Sequence, residues 1–188
     1  MRTFIIDPGR SRLAFTVRRL IGAQGVFAHI VGKVVVDEQG EPQSLEVSFP
    51  ARSLNTRLLL RDLHLKTASF LDARRYPTIS YHSQRIERAG PNQFVVHGQL
   101  RLHGRERPVR LEAEVESDRA MDGAYRAHVT GVVTRSAFNV PRNPLLRTSM
   151  LPMIGDEVVI MADVVSSPEH ERSLTAPHSA RQSTNQPC

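Results

Sequence analysis

A single cysteine in 188 residues, placed last as Cys188, excludes an intramolecular disulfide and any zinc site built on cysteine. The C-terminal box that prenylation requires is missing around it. No apolar run approaches the ~20 residues of a membrane-spanning helix, and the opening MRTFIIDPGRS holds neither an apolar h-region nor a small-residue cleavage site. The expectation is a cytoplasmic protein as the sequence stands, and a periplasmic one if a leader has been removed. Aromatic residues are scarce, at 5%, and Phe15, Phe27, Phe49, Phe70, Tyr76, Tyr81 and Phe138 are widely separated. Binders of single-stranded nucleic acid interleave exposed aromatics with basic residues on one sheet face, whereas Phe15, Phe49 and Tyr81 fall in register with aliphatics. A nucleic-acid module therefore rests on net charge alone, and no nucleic-acid partner is expected.

Chemistry-bearing motifs are missing too. The chain contains no nucleophile elbow, P-loop, HExxH helix, GxGxxG turn or Cys/His cluster. His97 and His103 fall on one face of a predicted strand, but metal sites gather three or four ligands, so no metal is expected. Arg61, Asp62 and His64 have no triad spacing. Helix capping and salt bridges to a rim account for Arg61 and Asp62 more simply.

What is present is alternation. Leu13, Phe15 and Val17 share one strand face, as do Ile30, Gly32, Val34 and Val36, then Leu45, Val47 and Phe49. The turn DEQGEP (37–42) closes a hairpin between the last two sets. Ile79 and Tyr81 follow, then Phe94, Val96, Gly98, Leu100 and Leu102; Val109, Leu111, Ala113 and Val115; Ala127, Val129, Gly131 and Val133; and Val158, Ile160, Ala162 and Val164. Arg110, Glu112 and Glu114 mark the wet side of one of these strands. About eight strands joined mostly by short turns expose their edges unless the sheet closes, which gives an eight-stranded antiparallel barrel. The interior of such a barrel holds packed side chains or one slender ligand. Gly32, Gly98, Gly131, Ala113, Ala127 and Ala162 on the apolar faces fit strand bending and close packing, or a cavity.

Residues 54–83 break the alternation. Leu59, Leu60, Leu63, Phe70 and Leu71 are spaced like a helix and too apolar for an exposed loop, so this insertion is expected to cover one barrel opening. From 166 to 188 periodicity vanishes and Ser, Pro, Gln and Asn accumulate, so one domain (1–165) with a disordered polar tail (166–188) is expected.

Lys and Arg outnumber Asp and Glu 25 to 19, and nearly all the positive charge is arginine. Arg18 and Arg19, Arg57 and Arg61, and Arg142 and Arg147 sit at predicted loop ends. Guanidinium forks grip phosphate in bidentate fashion, so an apolar tunnel with an arginine-bearing mouth suits a lipid with a phosphate head.

Several blocks occur in order: Ile6, Asp7, Pro8, Ser11, Phe15 and Val17; Asn55, Thr56, Arg61, Asp62, His64, Leu65, Phe70, Tyr76, Pro77 and Thr78; His103, Gly104, Pro108 and Val109; Arg135, Ser136 and Phe138; and Gly155, Asp156, Glu157 and Val158. Together they resemble the YceI-like, lipocalin-like polyisoprenoid-binding family. The resemblance implies a lipocalin-like β-barrel holding an isoprenoid chain, such as a quinone tail or polyprenyl phosphate, with a helical segment over the opening. It further implies a homodimer and no catalysis. Arg10 departs from the family's His, Arg18 and Arg19 from its Lys/His pair, and Asn139 from its Gly, a turn position that Asn tolerates.

These readings converge on a carrier without a cofactor other than bound lipid, making at most transient membrane contact. Phe15, Val17, Phe49, Leu63, Phe70, Leu71, Tyr81 and Phe138 are expected to contact the chain, and Arg18, Arg61 and Arg142 its head group. A chain burying on the order of 400 Å2 gains about 10 kcal/mol at ~25 cal/mol per Å2, before ordering costs. The alternative is a hydrolase or isomerase acting on a small amphiphile in the same cavity through His64 or Asp62.

Overall fold

A computed structural model describes residues 1–18, 24–117, 123–140 and 155–169. Among the described residues the strands are β1 (Arg2–Ile6), β2 (Arg12–Val17), β3 (Gln24–Phe27), β4 (Val31–Val36), β5 (Pro42–Pro50), β6 (Thr78–Arg88), β7 (Gln93–Leu102), β8 (Arg105–Ser117), β9 (Tyr125–Thr134) and β10 (Glu157–Pro168), with one α-helix, α1 (Leu59–Leu65). All pairings are antiparallel, in the order β1-β4-β5-β6-β7-β8-β9-β10, and β1 pairs β10 to close the ring. The start of β10 also pairs β2, which in turn pairs β3. Thus β1 with β2, and β3 with β4, are the halves of two bent staves, and the barrel has eight.

The first stave bends for a local reason. Pro8 has no N–H for the ladder. Asp7 turns the chain, its carboxylate accepting from the Gly9 amide at 2.9 Å. The Ser11 hydroxyl then takes over the missing rung, accepting from the Val165 amide at 3.0 Å. At the other hairpin ends, the Asp37 carboxylate accepts from the amides of Gln39 and Glu41, and His103 (φ 51°) and Gly104 (φ 70°) make the left-handed pair that a tight β7–β8 turn needs. Asn139 is also left-handed, at φ 55°, where the sequence places Asn instead of Gly.

The alternating apolar sets point inward on every stave. Phe15, Phe27 and Phe49 pack in a row with ring centroids 5.5 and 5.0 Å apart. Two inward glycines serve close packing, not empty space. A Cβ on Gly98 would overlap the His82 carbonyl and the Tyr81 ring, and one on Gly131 would overlap Leu111. Tyr81 lies over Gly98 and donates its hydroxyl towards the carbonyls of Val96 and Val109, each at 3.2 Å. Burial raises its pKa to about 12, so it stays a neutral donor.

Three expectations need correction. The insertion is less helical than its spacing suggests: α1 has seven residues, turns follow it, and Thr78 already begins β6. β3 was not expected, because Gly25 interrupts its apolar pattern. The last strand runs on to Pro168, since Ser166 and Ser167 are buried against β1. The rest of the predicted tail, 170–188, lies outside the described residues.

Candidate functional site

The barrel interior holds a continuous cavity of about 430 Å3, within the range of small-molecule sites. Carbon dominates its wall. Phe15, Val17, Val47, Phe49, Val96, Leu100, Leu111, Val129, Ile160 and Val164 line it, together with Ala113, Ala127 and Ala162. These alanines leave room that larger residues would fill. The expected small positions thus divide: the glycines are packed over, and the alanines widen the lumen.

Polar groups enter this wall at few points. Arg61 and His64 reach it from α1, Arg135 from the short 3-10 turn after β9, Tyr81 from β6 and Ser166 from the opposite end of the barrel. No carboxylate is among the described lining residues. Arg61, His64 and Arg135 thus border the cavity, while the surface it presents is almost wholly carbon, and Arg61 and Arg135 spend donors on Thr56 and Gly155. Arg135 is steadied by donating Nη2 to the Gly155 carbonyl at 2.7 Å, and its turn is pinned where Asp156 accepts from the Ser136 amide and hydroxyl.

The insertion is moored through Thr56 and Asp62, both buried. Asp62 Oδ1 accepts from the Thr56 amide at 2.9 Å and from its hydroxyl at 2.5 Å. Arg61 donates Nε to Thr56 Oγ1 at 2.7 Å and Nη2 to the Thr56 carbonyl at 2.9 Å. Asn55 pairs with Val26 of β3, so the moored loop is stitched to the barrel wall. His64 stacks edge-on against Phe70 with centroids 5.0 Å apart. Asp62 is thus turned towards Thr56, in an anchoring position. Among the described residues, no group of three or more His, Cys, Asp and Glu converges as a metal site would require.

Of the residues expected to contact a chain, Phe15, Val17, Phe49, Phe70, Leu71 and Tyr81 line the cavity. Leu63 does not. It is 57% exposed, because the helical turn that sends Leu65 inward carries Leu63 to the opposite side of α1. Phe138 is buried in the core but is not among the lining residues. The 3-10 turn ends strand alternation before it. Of the expected head-group residues, Arg61 lines the cavity. Arg18 follows inward Val17 and so points out, with its Nη1 3.2 Å from Glu157. Arg142 lies outside the described residues. Sequence reasoning missed Phe27, His64 as a lining group and Arg135, although Arg135 belongs to the Arg-Ser-x-Phe block.

The YceI-like domain family matches residues 4–166. Among curated relatives, a UPF0312 protein of Vibrio cholerae is 37% identical over 71 residues, 38% of each chain. One of Photorhabdus laumondii is 30% identical over 119 residues, 61% of this chain and 62% of the relative. The chain thus spans from about two fifths to just under two thirds of the length of these relatives. The crystal structure of Burkholderia cenocepacia BcnA superposes with a TM-score of 0.75 at 23% identity, covering 85% of this chain and 98% of BcnA. A polyisoprenoid binding domain from Saccharophagus degradans, implicated in plant cell wall breakdown, superposes with a TM-score of 0.68 at 14% identity, covering 89% of this chain and 99% of that domain. At these identities the structural likeness establishes the fold.

Proposed function

This chain belongs to the YceI-like domain family, and from that premise we propose that it is a binding protein that sequesters an isoprenoid-like lipid. The chain of the lipid occupies the tunnel and its polar head sits at the α1 end. The observation that carries this reading is the lumen itself: about 430 Å3 of space walled almost wholly by aliphatic and aromatic side chains, with Arg61, His64 and Arg135 on its border. The polyisoprenoid binding described for the Saccharophagus degradans domain supports it. Selectivity follows from matching chain length to the tunnel. Arg61, His64 and Arg135 supply contacts to a phosphate or a quinone carbonyl.

Displacement of a fluorescent apolar probe by prenyl alcohols and prenyl phosphates of increasing length tests the proposal. Affinity should rise by ~0.8 kcal/mol, about fourfold, per buried CH2 until the tunnel is filled, then level off. Phosphates should outcompete the matching alcohols. Absence of displacement at every length contradicts the reading.

A further inference from the structure

Among the described residues, a run of exposed leucines lies beside the tunnel mouth. Leu58, Leu59, Leu60 and Leu63 are 56%, 74%, 83% and 57% exposed. Leu59, Leu60 and Leu63 follow the i, i+1, i+4 spacing of one helical face, while Arg61, His64 and Leu65 of the same helix line the cavity. A seven-residue helix about 10 Å long therefore turns Arg61, His64 and Leu65 towards the lumen and Leu59, Leu60 and Leu63 towards solvent. Burial in this chain's own core does not account for the outer set.

The charges around it indicate what does. Between residues 51 and 77 stand Arg52, Arg57, Arg61, Lys66, Arg74 and Arg75 against Asp62 and Asp72, and Asp62 is buried on Thr56. Exposed leucines flanked along the chain by Arg57 and Lys66, in a segment with an excess of basic residues, match the interfacial layer of an anionic bilayer, where apolar side chains enter the acyl boundary and Lys and Arg meet headgroups. A second copy of this chain would bring the same basic segment against the first, which opposes association through this face. No helix among the described residues is long and apolar enough to cross a membrane.

We propose that the outer face of α1, through Leu59, Leu60 and Leu63 with Arg57 and Lys66, docks the tunnel mouth onto an anionic phospholipid surface. The same short helix then joins bilayer to lumen, so a chain passes between them without crossing water. The inference rests on the carrier reading for the purpose of docking, but not for the docking itself.

The test is flotation of the full chain with vesicles of phosphatidylcholine alone or mixed with phosphatidylglycerol, at low and high salt. The wild type should float with the mixed vesicles, weakly with phosphatidylcholine alone, and less at high salt. The triple variant Leu59→Ser, Leu60→Ser, Leu63→Ser should partition at least about tenfold more weakly, with unchanged thermal unfolding because the three side chains are exposed. Arg57→Glu with Lys66→Glu should remove the preference for phosphatidylglycerol. Failure of the wild type to float, or equal flotation of the triple variant, overturns the proposal. So does a concentration-dependent dimer, seen by sedimentation, that the triple variant abolishes. Organic extraction of the same samples separates the two readings. Retained lipid without flotation refutes docking alone, and flotation without retained lipid refutes the carrier alone.

Discussion

Replacing Ala162 with Phe is expected to lower chain retention about 30-fold while leaving the barrel intact. Ala162 sits midway along β10, between Leu13 of β2 and Val129 of β9, with its side chain on the cavity wall. A phenyl ring there takes space that about two to three methylene-sized groups of the ligand would fill. At ~0.8 kcal/mol each, the loss is roughly 2 kcal/mol, hence the 30-fold. Overpacking normally costs about 1–3 kcal/mol because the core is already full. Here the ring enters open lumen, so the melting temperature should hold or rise. Retention measured by displacement, beside a thermal melt, checks both parts. A variant that melts normally and retains lipid like the wild type would show that the chain lies elsewhere.

Removing the Asp62 carboxylate should release the insertion without unfolding the barrel. In Asp62→Ala the amide and hydroxyl of buried Thr56 lose their acceptor, at a cost of about 3 kcal/mol for a pair of bonds to a charged group. A seven-residue helix has little stability of its own, so this mooring decides whether it stays down. The barrel is held by its closed ladder, which the substitution does not touch. Hydrogen exchange should therefore show lost protection at residues 55–66 and unchanged protection in β6 to β9. If opening of this segment limits release, lipid should leave up to about 100-fold faster, the kinetic equivalent of about 3 kcal/mol. Uniform loss of protection would instead make Asp62 a determinant of the whole fold.

The closed antiparallel barrel was legible because inward and outward residues alternate with period two. Val158, Ile160, Ala162 and Val164 all face the lumen, as their spacing requires. Alternation does not report how far a side chain fills the space it faces. Gly98 and Ala162 look alike in sequence, yet Tyr81 covers the first and the second borders the cavity. The site was legible where it is made of strand and obscure where it is not. Phe27 was hidden by Gly25 in a four-residue strand. Arg135 lies just past the end of β9, where alternation stops predicting direction. The leucines of α1 were counted correctly as apolar excess but assigned the wrong target. Asp62 and Arg61, both tied to Thr56, turn the helix so that Leu59, Leu60 and Leu63 face out.

Polarity is unevenly distributed along the tunnel. Tyr81 commits its hydroxyl to backbone carbonyls, so mid-lumen offers a chain mainly carbon. Arg61 commits Nε and Nη2 to Thr56, yet its side chain still borders the cavity. A bound head group would thus meet a guanidinium whose orientation the Thr56 loop already sets, which reduces the ordering cost of binding.

The central claim, that the lumen holds an isoprenoid chain, is tested most directly by native mass spectrometry of the purified protein followed by organic extraction. The account predicts a discrete adduct that is released into solvent with masses spaced by isoprene units, and that is depleted in Ala162→Phe. A protein that carries no adduct after exposure to prenyl lipids, with the lumen closed by its own side chains, would contradict it.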